Sequence, residues 1–246
     1  MRDAGLFLVE GRLLVRRLLE SSRFAVRSLL ATRAALDGLH DLLIARHSVS
    51  FYEAPAEIIR AVVGFKFHRG CLALGEEGPA TAIDGILTPG TRLVLLLDDL
   101  ADPDNVGAVF RNALAFGAAG ILLSPGCADP LSRKALRVSM GATLIVPFTR
   151  IDRREGLDAL RGAAYTVMAL TPDPGAQPID TVAAGVSASR RIALLLGAEG
   201  SGLSEESRRA ADLGVRIPMV AGVDSLNVGT ASGIALHRLA HWTALR

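Results

Sequence analysis

The chain has 246 residues, a formal net charge of +2 and a half-hydrophobic composition, enough for one large domain or two modest ones around a sizeable core. No run approaches the roughly 18–20 apolar residues that a membrane-spanning helix needs. The first twenty residues interleave Arg12, Arg16 and Arg17 with leucines and lack the unbroken apolar core of a signal peptide, so a cytoplasmic protein with no membrane partner is expected. Cys71 and Cys127 are too few and too far apart for a metal cluster and read as apolar fillers. Lys66 and Lys134 are the only lysines among 27 basic residues, and residues 1–70 hold eleven basic against seven acidic side chains. Guanidinium forks suit phosphates and base edges, but a GC-rich genome that writes Arg for Lys leaves the same imprint.

In chain order, residues 8–34 read as helical through the stripe Val15, Leu18 and Leu19, followed by shorter alternating segments at 41–44 and 71–74. The Gly- and Pro-punctuated stretch 76–90 is the best boundary, which divides the chain into 1–85 and 90–246. Beyond it the spacing predicts strands at 93–97, 121–124, 144–146, 166–170, 192–196 and 215–217. Helices are predicted at 106–116, 131–140, 153–161, 204–211 and 226–242. Apolar runs alternating with helices mean βαβ units and an α/β fold with a parallel sheet covered on both faces. Ligands of such sheets sit beyond the carboxyl ends of the strands.

Three loops lie at those ends. The first contains Asp98, Asp99, Asp102, Asp104, Asn105, Gly107 and Arg111. Asp104 or Asn105 suits an N-cap. Four acids could hold Mg²⁺, but helix N-termini and turns attract Asp without any metal, and no metal is assigned. The second loop, Gly197-Ala-Glu199-Gly200-Ser-Gly202-Leu203-Ser204, nearly fits a phosphate-binding loop. Leu203 stands where lysine is required, and Glu199 would repel a phosphate. A phosphate-free cationic ligand fits better. In the third loop, Pro218 ends a strand, Gly222 turns the chain, Ser225 can cap a helix from Leu226, and Asn227 points an amide at the crevice.

These loops resemble the three motifs of the SpoU/TrmH family of RNA ribose 2′-O-methyltransferases, in the SPOUT superfamily. The matching text is Asn105-x-Gly107-x-x-x-Arg111-x-Ala113, Leu195-Leu-Gly-Ala-Glu199-Gly-x-Gly202, then Ile217-Pro-Met and Ser225-Leu-Asn227-Val. The resemblance spans about 93–242 in order, spacing and identity. One departure is Gly229 followed by Thr230, where relatives usually carry Ser two residues after Asn227.

The resemblance implies a parallel-sheet SPOUT domain with a C-terminal trefoil knot. It is preceded by a small α/β substrate-binding domain over 1–85 that is similar to RNA-binding ribosomal proteins. It further implies S-adenosylmethionine (AdoMet) as cofactor, RNA as substrate (ribosomal RNA favoured, tRNA the alternative) and a homodimer formed through the C-terminal helix. Asn105, Arg111, Glu199, Ser225 and Asn227 become the catalytic candidates; Thr171, Gly197, Gly200, Ile217 and Leu226 become the cofactor-binding ones. A neutral guanidine at pH 7 costs about 7.5 kcal/mol, so orienting the acceptor hydroxyl and stabilising its oxyanion is preferred for Arg111 over acting as a base. Two rivals remain: a SPOUT-type base methyltransferase, and a non-catalytic RNA-binding or ribosome-assembly factor. His237 and His241 lack a third ligand and read as a surface or interface pair. His68 and Arg69 are candidates for RNA contact, and Trp242 for packing or the dimer contact.

Overall fold

The computed structural model describes residues 4–44, 49–63, 70–187 and 190–240; His68, Arg69, His241 and Trp242 lie outside them. The first half opens with β1 (Leu6–Glu10), α1 (Arg12–Glu20) and β2 (Phe24–Ala31), so the helical reading of 8–34 holds only for its middle. Leu14, Val15, Leu18 and Leu19 are buried at helical spacing. Phe7 and Val9 before them, and Phe24 and Val26 after them, are buried at the two-residue spacing of strands. Two short helices, α2 (Arg33–Asp37) and α3 (His40–Leu43), lead to β3 (Ser50–Glu53), α4 (Ala56–Val63) and β4 (Cys71–Glu77). The segment 41–44, expected to alternate, is thus largely helical. The four strands form a sheet in the order β1-β4-β2-β3.

A short helix, α5 (Ile83–Ile86), lies within the expected boundary stretch and leads into the larger sheet. There follow β5 (Leu93–Asp98), α6 (Pro103–Ala115), β6 (Gly120–Leu123), α7 (Arg133–Val138), β7 (Phe148–Arg150), α8 (Arg153–Gly162) and β8 (Thr166–Leu170). The chain continues through β9 (Gln177–Pro178), α9 (Ile179–Gly185), β10 (Ile192–Gly197), α10 (Glu205–Ala210), β11 (Leu213–Arg216) and α11 (Val228–Leu239). The strands align as β7-β6-β5-β10-β8-β11-β9, with every neighbouring pair parallel. Every residue of β5 is buried, as a central strand covered on both faces requires. The strand expected at 144–146 is instead the end of a 3₁₀ turn, Ala142–Leu144, and pairing begins at Phe148. Leu144 turns away to join the core of the first sheet.

The two sheets share packing. Leu131, Leu136 and Leu144 belong to the same buried cluster as Phe7, Leu14 and Leu18. Arg23 donates to the carbonyl of Val146 at 2.9 Å and to Thr81 Oγ1 at 3.3 Å, with its guanidinium over the rings of Phe24 and Phe148. Among the described residues no helix is long and apolar enough to cross a membrane.

Candidate active site

The carboxyl ends of β10, β8 and β11 open into a cavity of about 550 Å³. Its wall combines the second and third loops with the residues that follow β8. Thr171, Gly197, Gly200, Ile217 and Leu226, the five cofactor candidates, all line it, as do Glu199, Ser225 and Asn227. Leu170, Leu196 and Val228 add an apolar surface that periodicity had assigned only to strand and helix ends.

Gly197 shows why the second loop is glycine-rich: a Cβ there would lie 2.3 Å from the backbone carbon of Gly202. The loop is pinched by paired backbone bonds between Ala198 and Gly202, at 3.1 and 2.9 Å. Leu203, where a phosphate-binding loop needs lysine, is 5% exposed and packs with Val94 and Leu96 in the core. Ser204 accepts from the backbone N–H of Ser207 and caps α10.

Asn227, not Ser225, caps α11. Its Oδ1 accepts from the N–H groups of Gly229 (2.9 Å) and Thr230 (3.3 Å), so the helix begins at Val228 and Ser225 stays exposed in the loop. The same amide's Nδ2 donates to Asn105 Oδ1 at 2.9 Å and Glu199 Oε1 at 2.7 Å. One side chain therefore ties together the three motifs. Asn105 is 5% exposed, one turn inside α6. The cap of α6 is Asp102, whose carboxylate accepts from Asp104 N–H, with Pro103 at the first helical position; this corrects the expected cap at Asp104 or Asn105. Gly107 admits neighbouring α7 and no ligand, since a Cβ would meet the carbonyl of Ala135 at 2.8 Å.

Arg111 is exposed on α6 and does not line the cavity. Six residues of helical rise put it about 9 Å beyond Asn105 along the axis.

The acids of the first loop pair off on two cations, Arg153 and Lys134. Asp98, 1% exposed at the end of β5, accepts from Ser204 N–H (2.8 Å) and Arg153 Nε (2.5 Å). Burial pushes its carboxyl upward, but the bonds from Ser204 and Arg153 prevail and hold it below the usual carboxylate range. Asp99 takes a second nitrogen of Arg153 at 2.6 Å, while Asp102 and Asp104 face Lys134 at 3.5 and 3.0 Å. The brace from Asp98 to Ser204 fixes the far end of the glycine loop. Sequence reasoning missed it, although a charged residue ending an otherwise apolar strand was the available signal.

Residues 92–237 match the family model described as the SpoU rRNA Methylase family. The chain is 40% identical over 233 residues, 94% of its length and 80% of the relative's, to a Mycobacterium bovis protein named an uncharacterized tRNA/rRNA methyltransferase. It is 34% identical over 79% of its length to a Burkholderia 23S rRNA (guanosine-2′-O-)-methyltransferase RlmB, 78% of which is covered. Its structure resembles the AdoMet-bound rRNA methyltransferase of Sinorhizobium meliloti with a TM-score of 0.82 and 26% identity, over 97% of this chain and 88% of that one. With the three motifs gathered on one amide beside a glycine-pinched cavity, and a family model that spans most of the chain, the protein belongs to the SpoU rRNA methylase family.

Proposed function

We propose that the chain transfers a methyl group from AdoMet to a ribose 2′-hydroxyl of RNA, with ribosomal RNA favoured over tRNA. The observation that carries this reading is the cavity at the ends of β10, β8 and β11, where all five cofactor candidates meet Asn227, Glu199 and Ser225. Relatives named as 23S rRNA guanosine-2′-O-methyltransferases and the AdoMet-bound structural neighbour support the same chemistry.

The residues fit the donor. Leu196, Ile217, Leu226 and Val228 offer aliphatic surface to an adenine, backbone groups of the glycine loop offer hydrogen bonds, and Glu199 supplies a carboxylate beside cationic groups. When bound, AdoMet supplies an electrophilic methyl on a sulfonium, whose transfer neutralises charge and is favoured by excluding water. Asn227 and Asn105 hold Glu199 and the loop in register. Ser225, exposed at the cavity's rim, is placed to accept from or donate to the ribose. Arg111 is assigned to orient the 2′-hydroxyl and stabilise the oxyanion as the hydroxyl proton passes to solvent water, a role that needs no neutral guanidine.

The four-stranded module formed within 1–85 presents the RNA, and 90–246 carries catalysis. A homodimer is the working unit: α11 leaves Ile234 on its outer face, and the preceding loop leaves Val220 and Val223 exposed. Light scattering at micromolar concentration should give twice the chain mass; the chain mass alone would remove the dimer.

Incubation with methyl-labelled AdoMet and separated ribosomal and transfer RNAs, followed by nucleoside digestion and mass spectrometry, tests the reaction. A ribose-methylated nucleoside from ribosomal RNA is expected. A base-methylated nucleoside, or RNA binding without turnover, would overturn it. Arg111→Ala should bind AdoMet as the native chain does and lose methyl transfer by at least about a hundredfold, the scale of losing one oxyanion donor.

A further inference from the structure

The donor that fits the cavity carries a third charge, and the cavity holds one residue to match it. Among the described residues nineteen line it, and of these only Glu199 and Arg208 are charged. AdoMet has two cationic groups, the sulfonium and the ammonium, and one anionic group, the methionyl carboxylate. Glu199 answers the cations. We propose that Arg208 binds the carboxylate, an inference that rests on the methyl-donor reading above.

The local geometry leaves Arg208 available. It projects from α10, the helix that begins where the glycine loop ends. Its Nη2 donates to Glu205 Oε2 at 2.9 Å. Glu205 does not depend on that bond alone, because Arg209 Nη2 reaches its other oxygen at 2.8 Å. Arg208 can therefore turn toward a ligand carboxylate while Glu205 stays paired. A guanidinium has five N–H donors in a planar fork that matches a carboxylate edge. Among the described residues no lysine or histidine lines the cavity to compete for the role. The Arg208 side chain is 54% exposed, so the contact is wet and sensitive to salt.

Isothermal titration of the full chain with AdoMet and with decarboxylated AdoMet, which differs in lacking the carboxylate, reads the contact directly. Arg208→Ala should weaken AdoMet by about three- to tenfold and leave decarboxylated AdoMet unchanged. Arg208→Lys should recover part of the loss. The gap between native chain and Arg208→Ala should narrow in 0.5–1 M salt, roughly where the screening length falls to 3–4 Å. Equal weakening of both ligands, or of neither, overturns the assignment while leaving the methyl-donor reading intact. A native chain that binds neither ligand overturns both.

Discussion

Asn227 works from both ends of one amide, which makes its two roles separable. The oxygen caps α11 and the nitrogen ties Asn105 to Glu199. Asn227→Asp keeps an acceptor for the helix but sets a carboxylate against Glu199, whereas Asn227→Ala removes both functions. We expect both variants to lose methyl transfer, and only the alanine variant to lose about 1 kcal/mol of stability with the cap; thermal unfolding beside turnover assays separates them. An aspartate variant with native activity would make the tie dispensable. At Asp98 the sign of the pH effect follows from its depressed carboxyl. Its contribution is fully present above the unfolded value near ~3.9 and is lost as pH falls through the lower folded value. Asp98→Asn should therefore cost about 1–2 kcal/mol at pH 7, and the gap to the native chain should shrink in urea unfolding at pH 3. Motif residues were legible because turns and caps demand particular side chains. The brace joining Asp98 to Arg153 and Ser204 was not, because its members lie 55 and 106 residues apart, where spacing carries no signal.

Among the elements, α6 and α11 approach closely enough to explain the departure at Gly229. A Cβ there would stand 2.7 Å from the Cβ of Ala108, and Asn112 Nδ2 donates to the Gly229 carbonyl (2.7 Å) and to Ser232 Oγ (2.9 Å). A serine at this position cannot enter without pushing the helices apart. Gly229→Ser should lower stability by about 1–3 kcal/mol, and pairing it with Ala108→Gly should return part of that loss; additive costs in this cycle of melting measurements would rule out the contact as the cause. Most elements of the larger sheet were readable, since buried parallel strands are short apolar runs between helices. The failures were local. The stripe through Val15 and Leu19 was carried into flanking strands whose two-residue spacing is only two turns of the pattern long. The two-residue β9 and helix α9 were left unassigned, because Gln177–Pro178 offers no periodicity to read.

At the scale of the molecule, the cavity belongs to the larger sheet while the module before it packs on α7 and the turn at 142–144. Arg23 clamps that junction, where burial lowers its guanidinium's affinity for a proton and two aromatic rings share its charge. The α/β class and the parallel sheet could be derived from alternation; the trefoil knot is an expectation of the family resemblance, since threading leaves no mark on periodicity. Cys71 has no exposed surface, and burial pushes its thiol up to about 11. Cys127 is 6% exposed, and burial raises its thiol as well. With no other cysteine in the sequence, the folded chain should resist maleimide at pH 7–8 and take up two labels only in denaturant, counted by intact mass. The protein thus comes ready for single-site labelling: Ser201→Cys, at an exposed position of the glycine loop that lines the cavity, would give one dye with no native thiol to remove. Its emission would follow ligand arrival at the cavity's rim in real time.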